Sequence, residues 1–391
     1  MEFLKEGKQL IKQNIREYGM YIALVVIMII FTITTNGLFI SSRNISNLIN
    51  QTGYIAVLAV GMTLVIVIKH IDLSVGFASG FMGAIAAILL TRFNAPFIVT
   101  IILVLLIGIL IGLFNGFLVA TMGIPSFVAT LAGMLIFRGG LLLLTESSGT
   151  IVISNKTFNA IGNGFIPDIA HIQGVHLLTI LIGIVAIILY ALSIFNTRKN
   201  KIKYNFDVVS MKIFIFQLIF VSAIIAYITW ILAGYNGLSW TVVIVIVVVA
   251  VYHYVTTQTV LGRHIYAVGG NIEAAKLSGI NVKKITYIVF ASMGMLIGLC
   301  GILFASRLQA ASTTAGTLFE LDAIAAAYVG GVSADGGVGK VTGSIVGALV
   351  MSSLISGMNL MGTGISYQYI IRGAVLVIAV IFDVKTRNKN N

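Results

Sequence analysis

Twelve strongly apolar segments, separated by short polar stretches, restrict the fold of this chain more than any other feature of its sequence. They lie near residues 18–36, 52–69, 74–91, 97–121, 124–145, 175–195, 213–233, 239–256, 285–305, 322–334, 341–358 and 366–383. A membrane helix needs about 20 mostly apolar residues, and in lipid it bonds its own backbone polar groups. We therefore predict an all-α polytopic membrane protein with about 12 transmembrane or partly spanning helices. The short segment 322–334 is expected to be a half-helix or a re-entrant element.

The composition excludes an ordinary soluble domain. Hydrophobic residues make up 59% of the 391 residues and charged residues only 9%, whereas a soluble domain is about half apolar and about a quarter charged. No Pro-rich or Ser-rich linker separates the apolar segments. We therefore expect residues 1–391 to form a single membrane domain.

The basic residues indicate which polar stretches face the cytoplasm. The net charge is +12, and the Lys and Arg residues concentrate in four stretches: the N-terminus with Lys5, Lys8, Lys12 and Arg16, residues 198–203, the loop 262–284, and the C-terminus with Lys385, Arg387 and Lys389. By the positive-inside rule these stretches, and with them both termini, are expected in the cytoplasm. Alternating the spans then places residues 146–174 outside. Because the flanks of membrane helices account for the charge, it does not indicate nucleic-acid binding.

The third of these basic stretches is predicted to contain a short helix. Asn271 suits the N-cap position, Glu273 stands in the first turn where an anion is favoured, and Ala274 and Ala275 are strong helix formers. Gly279 can adopt the left-handed conformation that ends a helix. A helix of about two turns is unstable alone in water, so contacts with the chain or with a partner must hold it. From the residues alone, a docking element and an ordinary connector are equally good interpretations.

Acidic side chains stand at the predicted starts of two apolar helices. Asp72 and Ser74 precede the helix expected at 74–91, and capping of that helix is favoured over holding a half-helix beside a transport pathway. Glu320 and Asp322 stand at a helix start that is expected to face outside. There the helix dipole and hydration would stabilise both carboxylates, which is favoured over a functional role.

Amide side chains within or near the spans can bind a hydroxyl-rich solute or bond neighbouring helices, and both interpretations are open. The candidate residues for the pathway or for helix caps are therefore Asp72, Ser74, Asn115, Glu320, Asp322 and Asn359. Arg138 and Arg372 are expected at the membrane surfaces, or reaching towards them with their long side chains.

The residues that would support other chemistry are not arranged in the required patterns. Residues 338–342 only superficially resemble a phosphate-binding loop, because the first Gly and the hydroxyl residue of that motif are missing. We therefore expect no ATP site on this chain. The five histidines are scattered, so a metal site is not expected. No nucleophile–base arrangement is recognisable, which leaves a membrane-embedded enzyme poorly supported.

The residues Glu273-Ala274-Ala275, followed by Gly279, resemble the coupling motif of the permease subunits of ABC importers. The surrounding GGNIEAAKLSGINVKK (269–284) resembles the branch that carries ribose, galactose, arabinose and xylose. KHIDLSVGFASG (69–80), GLFNGFLVATMGIPSFVATLAG (112–133) and TAGTLFELDAIAAAYVGGVSADGGVGKVTGSIVGAL (314–349) extend the likeness over most of the chain. Ribose-type permeases are shorter, and residues 150–240 look like an addition, so the chain is most similar to the xylose-type permeases.

The resemblance implies a division of labour between subunits. A separate ABC ATPase subunit would bind ATP and magnesium, two copies of the permease would form the pathway, and an extracytoplasmic binding protein would deliver a monosaccharide, with xylose the leading substrate. The helix at Asn271–Gly279 would dock in the ATPase, where Ala274 and Ala275 would permit close approach. The implied location is the bacterial cytoplasmic (inner) membrane, in contact with lipid.

The main alternative is an ion-coupled secondary carrier for a neutral solute. A carrier of that class would not need the Glu273 helix to dock anything, and it would rely on intramembrane acids instead. The absence of a His or Lys at the expected depth of Glu320 and Asp322 weakens a proton relay.

Overall fold

The computed structural model describes residues 15–146, 149–169, 171–172, 174–206 and 208–387. Fifteen α-helices lie within these residues. The first eight are α1 (Ile15–Thr34), α2 (Ser42–Val67), α3 (Val75–Thr91), α4 (Phe97–Ala120), α5 (Ser126–Thr145), α6 (Lys156–Asn163), α7 (Leu177–Lys203) and α8 (Met211–Ala233). The other seven are α9 (Trp240–Gln258), α10 (Val260–Gly270), α11 (Ile272–Leu277), α12 (Val282–Leu308), α13 (Phe319–Val329), α14 (Val341–Leu360) and α15 (Ile365–Arg387). The basic residues Lys5, Lys8, Lys12 and Lys389 lie outside the described residues.

The helices agree with the predicted all-α membrane fold. Nine of those described are long and apolar enough to cross a membrane, namely α2, α4, α5, α7, α8, α9, α12, α14 and α15. The apolar parts of α1 and α3 are somewhat shorter. Helix α13 has only 11 residues, which is about 16 Å of helix or about half of the hydrocarbon thickness. The twelve predicted segments therefore each contain a helix, and α13 has the length of a half-helix.

Glycine contacts bring the central helices close together. Helices α2, α12 and α14 are mostly buried, and α4 crosses α12 at glycines on both sides. A Cβ atom on Gly294 would lie 2.1 Å from the carbonyl oxygen of Gly108, and a Cβ atom on Gly112 would lie 2.1 Å from that of Phe290. Small residues four apart allow such close approach between membrane helices, as the sequence spacing of these glycines indicates.

Short strands cover the end of the bundle at which α12 finishes. β1 (Thr150–Val152) pairs antiparallel with β4 (Ala310–Ser312), and β2 (His171–Ile172) pairs antiparallel with β3 (Val175–His176). We call this the strand end of the bundle. The opposite end carries α10 and α11, and we call it the α11 end. The sequence did not indicate these strands, because each has only two or three residues.

Helices α7 and α8 form a peripheral pair. They pack mainly against each other, and most of their side chains remain exposed in the single chain. Exposed apolar side chains all along a long helix suit contact with lipid. For α7 and α8 this arrangement agrees with the expectation that residues 150–240 are an addition to a smaller helical core. Within the same stretch, however, β1 pairs with β4 and α6 packs on α12, and the expectation remains a prediction.

We expect Gly294→Ala to destabilise the protein, because the new methyl group would overlap the backbone of α4. Overpacking of this kind costs about 1–3 kcal/mol, so the apparent melting temperature in detergent should fall. The control is Gly373→Ala in α15, where a Cβ atom would meet nothing within 4 Å. Equal melting temperatures for the two variants would contradict the close crossing of α4 and α12.

Candidate functional site

Helix α11 is built by its two caps. At its start, the Asn271 side-chain oxygen accepts a hydrogen bond from the backbone N–H of Ala274 at 3.0 Å. At its end, Gly279 has φ +81°. The N–H of Gly279 donates to the Lys276 carbonyl at 2.9 Å, and that of Ile280 donates to the Ala275 carbonyl at 3.0 Å. These two bonds are the Schellman motif, so the caps predicted from the sequence are present.

The exposed surface of α11 differs in one respect from the expectation. Ala275 is buried against its own chain, so it cannot contact a docking partner, and only Ala274 of the two alanines is exposed. Glu273 is exposed and pairs with Lys276 at 2.9 Å. Leu277 is 90% exposed, the highest value among the large hydrophobic side chains of the described residues.

The backbone next to α11 is fixed to the bundle by contacts without intervening side chains. The N–H of Gly337 donates to the carbonyl of Val67 at 2.8 Å, and a Cβ atom on Gly269 would lie only 1.8 Å from that same oxygen. We call Val67, Gly269 and Gly337 the backbone clamp. It joins the end of α2, the end of α10 and the turn after α13.

Tyr266 adds a side-chain bond beside the clamp. Its hydroxyl donates to the carbonyl of Gly339 at 2.6 Å. Burial raises the pKa of the Tyr266 phenol above its ordinary value, so the group keeps its proton and remains a donor at neutral pH. Helix α10 is therefore attached firmly to the turn before α14.

The chain is unwound between α2 and α3, at residues 68–74. Side chains of α5 replace the missing helical bonds there. The hydroxyl of Ser126 accepts from the N–H of Ile71 at 3.3 Å, and that of Thr130 accepts from the N–H of Leu73 at 3.0 Å. Non-helical backbone is tolerated within a membrane protein only where such partners are available.

Asp72, Ser74 and Asn115 come together at this break. Ser74, rather than Asp72, occupies the N-cap position of α3. The buried carboxylate of Asp72 accepts from the N–H of Ser74 at 2.9 Å and from its hydroxyl at 2.6 Å. The amide of Asn115 on α4 donates to the Ser74 hydroxyl at 3.2 Å. These bonds fix the start of α3 between α4 and α5.

The expectation that Glu320 and Asp322 are hydrated at an exposed helix start is wrong. They are only 7% and 3% exposed, because α13 begins inside the bundle. Asp322 lies 3.4 Å from the guanidinium of Arg372 on α15. Glu320 packs on Gly76, where a Cβ atom would lie 2.0 Å from the carboxylate. Arg372 therefore pairs with a buried carboxylate within the bundle.

Asn359 lies apart from the other candidates. Its side-chain oxygen accepts from the Gln368 amide at 2.9 Å, between the end of α14 and the start of α15. The candidate pathway residues thus form one cluster at the break, a second at α13, and a separate amide pair. Among the described residues, no group of three His, Cys, Asp or Glu side chains is placed to hold a metal ion.

The long apolar helices indicate a polytopic membrane protein. The profile of the family described as "Branched-chain amino acid transport system / permease component" matches residues 44–380, and the chain belongs to that family. It is therefore a transport subunit.

Individual relatives agree with this assignment over almost their full length. The xylose transport system permease protein of Haemophilus influenzae is 40% identical over 381 residues, covering 96% of this chain and 98% of the relative. The xylose transport system permease protein of Escherichia coli is 37% identical over 377 residues, covering 96% and 94%. The ribose import permease protein of Escherichia coli is 34% identical over 363 residues, covering 93% and 91%.

The resemblance read from the motifs is thus confirmed at the level of the family. No solved structure matches the chain. Family membership implies partner subunits for energy and for solute delivery, and it favours a permease over a secondary carrier.

We expect Asp72→Ala to lower the free energy of unfolding by about 1–3 kcal/mol, because it leaves the buried Ser74 N–H without an acceptor. Asp72→Asn retains an acceptor oxygen of similar size and should lose less. Thermal unfolding in detergent measures both. A wild-type melting temperature for Asp72→Ala would show that the carboxylate is not needed to hold the break.

Proposed function

We propose that this chain is the membrane-spanning subunit of an ATP-driven importer for a monosaccharide, and that α11 couples it to a separate ABC ATPase. The observation that carries the coupling role is the surface of α11, where Leu277 is 90% exposed beside Glu273. A bound ATPase would cover that leucine. The backbone clamp supports the role because it would transmit a displacement of α11 to α2.

The ATPase partner would supply the energy. ATP and magnesium would bind on that subunit, and its cleft would receive Glu273, Ala274 and Leu277. The caps at Asn271 and Gly279 keep α11 formed, although a helix of this length is unstable alone. Ala275 is buried and would pack α11 against its own chain, on the face away from the ATPase.

The names of the relatives support a pentose as the solute. The family description refers to branched-chain amino acids, whereas the xylose permeases are 37–40% identical to this chain over almost its whole length. The ribose permease is somewhat less similar, at 34%. We therefore propose xylose or a related sugar, and competition between xylose, ribose and leucine in an uptake assay tests this choice.

Assembly and location follow from the same proposal. Two copies of the chain would form the pathway, and an extracytoplasmic sugar-binding protein would dock at the strand end. The basic residues at the α11 end, including Lys276, Lys283 and Lys284, support a cytoplasmic location for that end by the positive-inside rule. The membrane would be the bacterial inner membrane, with both termini in the cytoplasm and α7 and α8 facing lipid.

The polar clusters would serve the pathway indirectly. Asp72, Ser74 and Asn115 hold the broken start of α3, and Glu320 and Asp322 hold α13 beside it. Because these side chains are buried in one protomer, we propose that they position the pathway helices. Asn359 is more exposed and would lie near the outer end of the pathway.

We expect Glu273→Lys to abolish sugar uptake and to prevent co-purification of the ATPase in mild detergent. The protein should remain folded, because Glu273 is exposed and, among the residues that the structure describes, bonds only to Lys276. The matched control is Glu146→Lys, the same charge reversal at an exposed residue next to the strand end. Normal uptake by Glu273→Lys, or equal ATPase loss in both variants, would contradict the coupling role.

Leu277→Ser should weaken ATPase binding without altering the melting temperature of the isolated chain. Loss of a fully buried leucine contact costs about 2 kcal/mol, which is about 30-fold in affinity. Titration of the detergent-solubilised chain with the purified ATPase measures this change. An unchanged affinity would show that Leu277 lies outside the docking surface.

A further inference from the structure

One arginine lies exposed in the middle of a membrane span. Arg138 belongs to α5, and its guanidinium carbon lies 5.0 Å from the centre of the Phe77 ring on α3. Among the described residues, no carboxylate pairs with Arg138 and no hydrogen-bond acceptor is within reach of it. In a single protomer, its guanidinium therefore contacts the face of one aromatic ring and is otherwise open.

The sequence led us to expect that Arg138 reaches towards a membrane surface. In the structure, its side chain does not extend towards the nearer end of α5. Arg138 is the thirteenth residue of the 20-residue α5, about 18 Å from the first residue and about 10 Å from the last. Helical side chains lean towards the helix N-terminus, which here is the more distant surface.

The packing of α5 against α3 confirms that direction. The two helices run side by side in register, since Gly133 contacts Ser74 and Gly140 contacts Phe81. Phe77 therefore lies level with the turn of α5 that precedes Arg138. The guanidinium over Phe77 therefore points along α5 towards the end at which the break between α2 and α3 lies.

A guanidinium at this depth cannot face lipid without a large penalty. Insertion of an arginine at the centre of a membrane helix costs about 2.5–3.5 kcal/mol by the lowest scales. The contact with Phe77 on one face offsets part of this cost, about 0.5–2 kcal/mol. The exposed side of Arg138 must therefore face water or another polar group.

The described residues of a second copy offer no exposed carboxylate within a span to pair with it. The acidic residues within the described spans and their breaks are Asp72, Glu320, Asp322 and Asp383, and all four are buried in their own protomer. The remaining acidic residues described, such as Glu146 and Glu273, lie at the ends of the bundle. Among the described residues, no exposed carboxylate therefore lies within a span where it could pair with Arg138 of a second copy.

We propose that Arg138 lines the water-filled sugar pathway and donates hydrogen bonds to the hydroxyl groups of the sugar as it passes Phe77 in the first turn of α3. The guanidinium has five N–H donors and no acceptor, and sugar hydroxyl oxygens accept from them without requiring a charge on the solute. The face of the Phe77 ring holds the guanidinium in place. This inference rests on the proposed sugar-import function and assigns one residue of its pathway.

The test uses the single native cysteine, Cys300, which is fully buried and should not react with a membrane-impermeant methanethiosulfonate reagent. Arg138→Cys, assembled with its ATPase in proteoliposomes, should react with the charged reagent. Excess xylose should slow that reaction, whereas excess leucine should not. Leu189→Cys is the matched control, because Leu189 is an exposed thirteenth residue of the peripheral α7 and should stay unreactive in lipid.

Three results would overturn the proposal. Arg138→Cys that stays as unreactive as Leu189→Cys would place the side chain in lipid or in protein. Reaction that xylose does not slow would place it in water away from the sugar. A disulfide joining Arg138→Cys of the two copies, with no reaction towards the reagent, would place it at a dry contact between protomers.

Transport assays separate this inference from the function on which it rests. Arg138→Gln should lower the initial rate of xylose uptake about tenfold or more, as expected for lost hydrogen bonds from a charged donor. Arg138→Lys should retain more of the rate, and both variants should still co-purify the ATPase. Wild-type uptake by Arg138→Gln would refute the pathway role alone, whereas absence of the ATPase from the wild-type chain would refute the proposed function.

Discussion

The need to bond every backbone polar group inside the membrane is the constraint on which this structure depends. Long helices meet it by themselves, but the chain between α2 and α3 does not. There, the hydroxyls of Ser126 and Thr130 accept hydrogen bonds from the backbone N–H groups of residues 71 and 73. The break can therefore exist only while α5 lies beside it, so that one local requirement fixes the relation of α2, α3 and α5.

Close helix contacts make the rest of the arrangement rigid. Glycines at the α4–α12 crossing and in the backbone clamp bring main chains together without side chains between them. Such contacts have few ways to rearrange, whereas a contact between long side chains can shift by changing rotamers. The buried pair of Asp322 and Arg372 acts differently, since it ties α13 to α15 through charge.

The features that depend on residues close together in the sequence could be predicted from it. The apolar spans, the Asn271 cap and the Gly279 terminus follow from local composition and spacing, and all are present. Features that depend on residues far apart in the sequence could not be predicted. Asp322 and Arg372 are 50 positions apart, and nothing local shows that they meet. The exposure of Leu277 was also hidden, because an isolated leucine in a loop gives no sign of whether its own chain will cover it.

In the proposed transport cycle, the position of the break determines what a displacement of α11 can move. Gly269 at the end of α10 meets the carbonyl of Val67, which is the last residue of α2. The unwound residues begin immediately after it, so α2 cannot pass the displacement into α3 as one stiff rod. Instead, the hydrogen bonds from Ile71 and Leu73 to α5 would transmit the displacement to that helix. Because α5 also carries Arg138, energy applied at α11 would act on the helix whose exposed guanidinium we assign to the sugar pathway.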